Sequence, residues 1–417
     1  MERLPGFRDF YPAPLPHPDV WSADARQYIF NQWRETARRY GFREYDGPPL
    51  EPLELFTTKS GAEIVGQLYN FKDKGEREIS LRPEMTPTLA RMIAAHERSY
   101  KKPIKWFTIP QLFRYERQQK GRLREHFQLN ADIIGESDPA ADAELIALLI
   151  DTLRSFQLTS DDFVIRLSSR NAWHDYFVRR NGEPAKEYEF YQIIDKLERE
   201  KPEVSAEKLK GINFSMDDVT AFVEKGEPTA ELQIILENLA ARGLKAFVKI
   251  DYHVIRGLAY YTGVVFEAFA LGEDLRAISG GGRYDNLVKL VSGGKVDLPA
   301  LGFGMGDVVL LELLKARGLL PKFDAGIDVF CLIEDEALRS DSLKLIHDLR
   351  SNGVCVEYSL TKAKSDKQFK RAQELKAARI VRLERSSAGE FIVKLKDLKS
   401  REERALSIEE IVSAVQR

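Results

Sequence analysis

Residues 327–417 limit the architecture of this chain more than any other stretch. Strand-like and helix-like runs follow one another there as IDVFCLI, EALRSDSLKLIHDLRSN, VCVEYSL, SDKQFKRAQELKAA, RIVRLE, EFIVKLKDL and SIEEIVSAVQR. Strands separated by helices of this length predict a small, mainly parallel α/β domain of about 90 residues. The stretch LLPKFDAG ahead of it reads as a linker. The expected division is therefore one domain over 1–320 and a second over 326–417.

The first domain has a different rhythm. Trp21, Ala25, Tyr28, Ile29, Trp33, Ala37 and Tyr40 recur at steps of three and four, which predicts a helix with one apolar face that stops at Gly41. A strand then ends at Pro48 and Pro49, because proline has no N–H for a sheet interior. A hairpin is expected to turn at Lys74-Gly75, followed by a helix over TPTLARMIAAHER. DPAADAELIALLIDTLRSF reads as a helix and DDFVIRLSS as a strand. From about 172 to 245 the sequence is charge-rich and helical, which fits a helical insertion in a strand-rich domain. Strand signals return in AFVKIDYHV, YYTGVVFEAFA and RAISGGGRYDNLV, before a Gly-rich strand end runs into a helix at ALGFGMGDVVLLELLKARG.

At 417 residues, two or three domains are expected. A net charge of −2 argues against a protein that coats nucleic acid, yet leaves room for local basic patches. The two cysteines, Cys331 and Cys355, form neither a disulfide framework nor a zinc spacing, and they suit a reducing cytoplasm. No window approaches the roughly 18 apolar residues of a membrane span, and the N-terminal residues lack a signal-peptide core.

The chemistry gathers in FRYERQQKGRLREHFQLNAD, residues 113–132, where Arg and Lys crowd around one Lys-Gly turn. If both arms are strands, Arg114 and Glu116 share a face, and Arg124, His126, Gln128, Asn130 and Asp132 share another. That makes a polar floor with Lys120, Arg122 and Arg124 at its lip, suited to a ligand with a phosphate tail and a hydrogen-bonding head. An exposed, solvated hairpin is the plainer alternative. LRPEMTP adds Arg82, Glu84 and Thr86; VIRGLAYYTG adds Arg256, Tyr260 and Tyr261; SGGGRYDNL adds Tyr284. For these too there is a plain alternative, since glycines mark bulges and paired tyrosines often belong to a core.

Taken together, these stretches resemble the class II aminoacyl-tRNA synthetases, and within them the histidyl-tRNA synthetases, over nearly the whole chain. The matching segments are GFRDFYP, the helix and strand up to Pro48 (motif 1), LRPEMT, FRYERQQKGRLREHFQ (motif 2), RGLAYYTGVVFEA, GGGRYD and GFGMG (motif 3). The resemblance implies an α+β catalytic core, an antiparallel sheet flanked by helices, with a C-terminal anticodon-binding α/β domain. It implies a homodimer built through motif 1. It also implies histidine and ATP as substrates, with Mg2+ bridging phosphate oxygens, and tRNA(His) as partner.

Residue by residue, the resemblance puts Glu84 on the α-ammonium of histidine with Thr86 nearby. Gln128 and Asp132 would face the amino acid, Asp132 reading an imidazole N–H, with Tyr261 and Tyr284 closing the ring pocket. Arg114 and Arg256 would meet the α-phosphate, and Arg122 and Arg124 the β- and γ-phosphates. Glu116 would contact adenine and Phe127 would stack on it. Lys367, Gln368, Lys370 and Arg371 share one predicted helix and are candidates for tRNA contact, or else a solvated face. Two positions depart from the pattern: Val309 stands at the motif 3 arginine, and Ala259 at the usual acid of the RGL-x-YY segment. The first departure suits a silent paralogue such as the regulatory subunit of ATP phosphoribosyltransferase. The C-terminal domain and the retained phosphate-contacting arginines oppose that alternative, and RGLAYYTG opposes specificity for proline or threonine.

Overall fold

The computed structural model describes residues 2–415 apart from 61, 116–120, 122, 199, 256–260 and 324–325. It divides into two compact units, Met1–Asp9 with Ala25–Pro321, and Phe10–Asp24 with Lys322–Arg417.

The first unit is organised by a nine-stranded sheet. Its order is Val248–Ile250, Phe163–Ser169, Val264–Ala270, Ser279–Arg283, Ala300–Gly306, Glu125–Ile134, Ile104–Thr108 and Arg43–Glu44, with Gln111–Phe113 paired beside the start of Glu125–Ile134. From Phe163–Ser169 to Ile104–Thr108 every pairing is antiparallel, and the two edge pairings are parallel. Helix Ala23–Arg39 buries Ala25, Ile29, Trp33 and Ala37, and the chain leaves it through Gly41 at φ +79°. Helix Pro139–Arg154, capped by Asp138, packs on the Ala300–Gly306 and Glu125–Ile134 strands and against helix Ala230–Ala241. It is buried on nearly every side, so it is apolar almost all round.

The strand expected before Pro48 is shorter than its sequence suggests. Only Arg43–Glu44 joins the large sheet, and after the prolines the chain enters a separate three-stranded sheet of Leu50–Pro52, Asn70–Lys72 and Glu78–Leu81. Its hairpin is closed by Asp73, whose Oδ1 accepts from the N–H groups of Gly75 at 2.8 Å and Arg77 at 3.0 Å. Between Phe163–Ser169 and Val248–Ile250 lie the α-helices Arg170–Arg179, Glu187–Ile194, Pro202–Gly211, Met216–Lys225 and Ala230–Ala241. They close over an aromatic core in which the Trp173 and Phe222 centroids stand 4.8 Å apart and those of Phe190 and Phe214 4.7 Å apart.

The second unit holds a five-stranded sheet in the order Val356–Tyr358, Val329–Leu332, Arg379–Arg385, Phe391–Asp397 and Glu403–Leu406. The first two pairings are parallel and the last two antiparallel, so the expected mainly parallel sheet is mixed. The reason is the short Ser386–Glu390 connection, which can close a hairpin but not a crossover. Val329 and Cys331 face one apolar cluster with Leu345, Leu349 and Ile411; Phe330 and Leu332 face another with Ala372 and Ile380. A central strand buried on both faces needs this unbroken apolar run.

Candidate active site

The site is built on the Glu125–Ile134 strand. Alternation turns His126, Gln128, Asn130 and Asp132 to one face, and the neighbouring strand makes room for them. Asp132 lies opposite Gly302, Asn130 opposite Gly304, and Gln128 opposite Gly306. A β-carbon on Gly302 would overlap the Asp132 carboxylate, and one on Gly304 would stand 2.7 Å from Gln128 Cδ. The glycines of GFGMG thus let two polar side chains lie across the next strand.

Above this floor is a small pocket of about 80 Å³. Glu84, Thr86, Gln128, Asp132, Tyr261 and Tyr284 all line it, together with Arg114. Glu84 and Thr86 are carried in by the start of helix Thr86–His96, where Pro87 occupies the first turn. Tyr284 donates its hydroxyl proton to Asp132 Oδ1 at 2.5 Å. Burial pushes the Asp132 carboxyl up to about 7, against the pull of that hydrogen bond. Arg114 is aimed by its Nε, which donates to the Pro83 carbonyl at 3.0 Å. Arg82 is turned away and holds the carbonyls of Gly47 at 2.6 Å and Gln111 at 3.1 Å.

A larger cleft of about 740 Å³ continues from the pocket and shares Arg114, Gln128, Gly280 and Gly304 with it. His126, Phe269, Ile278, Val308 and Val309 wall it, with Arg276 beside them. The arrangement suits a small amphoteric ligand at the narrow end and a larger polyanion in the wide one.

A family model described as Histidyl-tRNA synthetase matches residues 18–307, and one described as Anticodon binding domain matches 327–417. The chain belongs to the histidyl-tRNA synthetase family. It is 44% identical to a protein of Opitutus terrae named histidine--tRNA ligase, over 100% of this chain and 98% of the relative. A protein of the same name in Leptospira biflexa is 34% identical over 99% of this chain and 97% of its own length. The fold is similar to a crystal structure of histidyl-tRNA synthetase from a Nostoc species, with a TM-score of 0.76 and 23% identity, covering 94% of this chain and 95% of that one.

Set against the motifs of that family, the expected contacts divide. The six residues expected to face histidine meet in one pocket, and Arg114 stands where pocket and cleft join. Glu116, Arg122 and Arg256, with Ala259 and Tyr260, lie outside the described residues. Phe127 is not where a stacking partner for adenine was expected. The parity that puts Gln128 on the floor turns Phe127 to the opposite face, where its ring meets Phe30 at 5.1 Å and the Arg26 guanidinium at 5.5 Å. His126, one residue earlier, lines the cleft instead. The alternation already evident in the motif carried that signal. The Arg124 guanidinium stacks 4.5 Å from the Tyr115 centroid and is not among the described groups lining the cleft.

Behind the floor runs a buried ion network. Arg8, from GFRDFYP, reaches Glu125 at 2.6 Å and Asp307 at 2.8 Å, and Asp307 accepts from the Phe127 N–H at 3.0 Å. It ties the N-terminal segment to the start of the floor strand and to the helix that presents Val308 and Val309.

In the second unit, helix Ser365–Glu374 exposes Lys367, Lys370 and Arg371, the last paired with Glu374 at 3.3 Å. Gln368 does not share that exposed face. It is wholly buried, its amide donating to the carbonyls of Ile333 at 2.8 Å and Ala363 at 2.9 Å and accepting from the Ile333 N–H at 3.0 Å. Its helix face points inward, so it holds strand to helix and cannot read tRNA.

Proposed function

We propose that this chain is a histidine--tRNA ligase whose pocket and cleft carry out both steps of aminoacylation. The observation that carries the reading is the meeting of Glu84, Thr86, Gln128, Asp132, Tyr261 and Tyr284 in one pocket that opens past Arg114 into a wide cleft. Histidine enters with its imidazole toward Asp132 and its ammonium toward Glu84. Its carboxylate attacks the α-phosphorus of ATP and pyrophosphate leaves, giving histidyl-adenylate. The terminal ribose hydroxyl of tRNA(His) then takes the histidyl group and releases AMP.

No side-chain nucleophile is required. The demand falls on fixed positive charge at the α-phosphate, assigned to Arg114 and Arg256, where loss of one such donor costs about 10²–10³ in rate. Asp132 and Tyr284 supply selectivity, since a pocket built for hydrogen bonds rejects analogues lacking them by roughly 10⁴–10⁵. Among the described residues no group of three His, Cys, Asp or Glu side chains is placed to hold a metal ion, and Mg2+ enters as part of the substrate MgATP. Residues 1–320 are assigned to catalysis and 326–417 to anticodon recognition, with Lys367, Lys370 and Arg371 toward tRNA phosphates. We assign a homodimer, formed through the motif 1 helix and strand, acting in the cytoplasm. No described helix is long and apolar enough to cross a membrane.

A paralogue that binds histidine without charging tRNA is not favoured, because relatives named histidine--tRNA ligase match over the full length. The test is pyrophosphate exchange with each amino acid, then charging of tRNA(His). Histidine-dependent exchange followed by charging is expected. Absence of exchange with every amino acid, or exchange without charging, overturns the reading. Sedimentation at micromolar concentration tests the dimer, which a monomer contradicts.

A further inference from the structure

We propose that Arg276 supplies the cation that Val309 cannot, binding the β- and γ-phosphates of ATP in the wide section of the cleft. The inference rests on the ligase reading and adds a residue to it. The wide cleft has to hold a nucleoside triphosphate, yet position 309 presents an isopropyl group to it. Among the described residues lining the cleft, the Arg and Lys side chains are Arg114 and Arg276. Arg114 stands at the junction with the histidine pocket, so it serves the phosphate nearest the reacting carboxylate. Arg276 does not reach that pocket. It belongs to the far section, beside Gly121 of the motif 2 loop.

The position of Arg276 relative to Val309 is specific. A β-carbon built on Gly121 would stand 3.4 Å from Val309 Cγ2, 3.7 Å from Glu312 Oε2 and 3.9 Å from Arg276 Cδ. Three side chains from two separate segments therefore converge on one point at the loop. Glu312 lies one helical turn beyond Val309, and its Oε2 is buried with no hydrogen-bond partner among the described residues. A guanidinium carries five donors in a planar fork, enough to serve Glu312 and a phosphate together. Arg276 lies just ahead of the Ser279–Arg283 strand, and its Cδ approaches the loop at Gly121.

The test is histidine-dependent pyrophosphate exchange by the full chain and its R276A, R276K and R276A/V309R variants, with direct titration of ATP and AMP. For R276A, KM for ATP should rise roughly tenfold or more while KM for histidine stays within about twofold. The affinity for ATP should fall and that for AMP should not, because AMP lacks the β- and γ-phosphates. R276K, which keeps the charge without the fork, should fall between. V309R in the R276A background should restore part of the ATP affinity. An R276A variant that melts like the wild type with unchanged KM for ATP, or with equal losses for ATP and AMP, overturns the proposal. A wild-type chain without exchange would overturn the ligase reading itself, a different result.

Discussion

Tyr284 donates a hydrogen bond to Asp132 at 2.5 Å across 152 positions of sequence, and it does so at the closed end of a pocket. The acid is 4% exposed, and its carboxyl is pushed up to about 7 chiefly by that burial. A folded chain that holds this proton more tightly than the unfolded one gains stability from it below about pH 4, the ordinary carboxylate range. The gain is lost as pH rises through about 7, with a slope of up to about 1.4 kcal/mol per pH unit. Asp132→Asn should therefore stabilise the protein relative to wild type at pH 8 and much less at pH 5, while abolishing histidine-dependent exchange. Thermal melts at the two pH values check this; an equal shift at both would show that the carboxylate carries no such penalty.

Gly302 is required by its neighbour across the sheet. The nearest atoms to an added β-carbon are the Asp132 carboxylate and, at 3.1 Å, the Ala131 carbonyl, neither of which is the end of a flexible chain. Gly302→Ala should displace the acid from Tyr284 and raise KM for histidine by roughly tenfold or more, with KM for ATP little changed. Steady-state exchange kinetics with each substrate varied in turn decide it.

Arg8 answers two buried carboxylates at once, so its removal leaves both uncompensated. Arg8→Ala should destabilise the first unit by about 3–5 kcal/mol. Urea denaturation measures this directly. A loss below about 1 kcal/mol would mean that Glu125 and Asp307 find other partners.

Helix Ser365–Glu374 should separate stability from tRNA binding. Gln368→Ala leaves the Ile333 and Ala363 polar groups without partners and should cost about 1–3 kcal/mol. The Lys367/Lys370/Arg371 triple alanine variant should melt within about 0.5 kcal/mol of wild type. It should bind tRNA more weakly and with a flatter dependence on salt. An unchanged salt slope would remove these three residues from the tRNA surface.

Much of the site is local information. A strand alternates its side chains whatever lies beside it, so the sequence alone puts His126, Gln128, Asn130 and Asp132 on a common face and Phe127 on the other. Helical spacing likewise marks Ala25, Ile29, Trp33 and Ala37 as one buried stripe, and the ordered motifs identify the family. Register is not local. Which glycine faces Asp132, which tyrosine reaches it and which arginine comes near Val309 depend on strands and loops far apart in sequence. The same holds for Gln368, whose polar side chain looks solvated until the strand bearing Ile333 is packed against its helix. Periodicity within a segment follows from backbone geometry alone. Pairing between segments is chosen by burying all of them together, and that choice exists only in the folded chain.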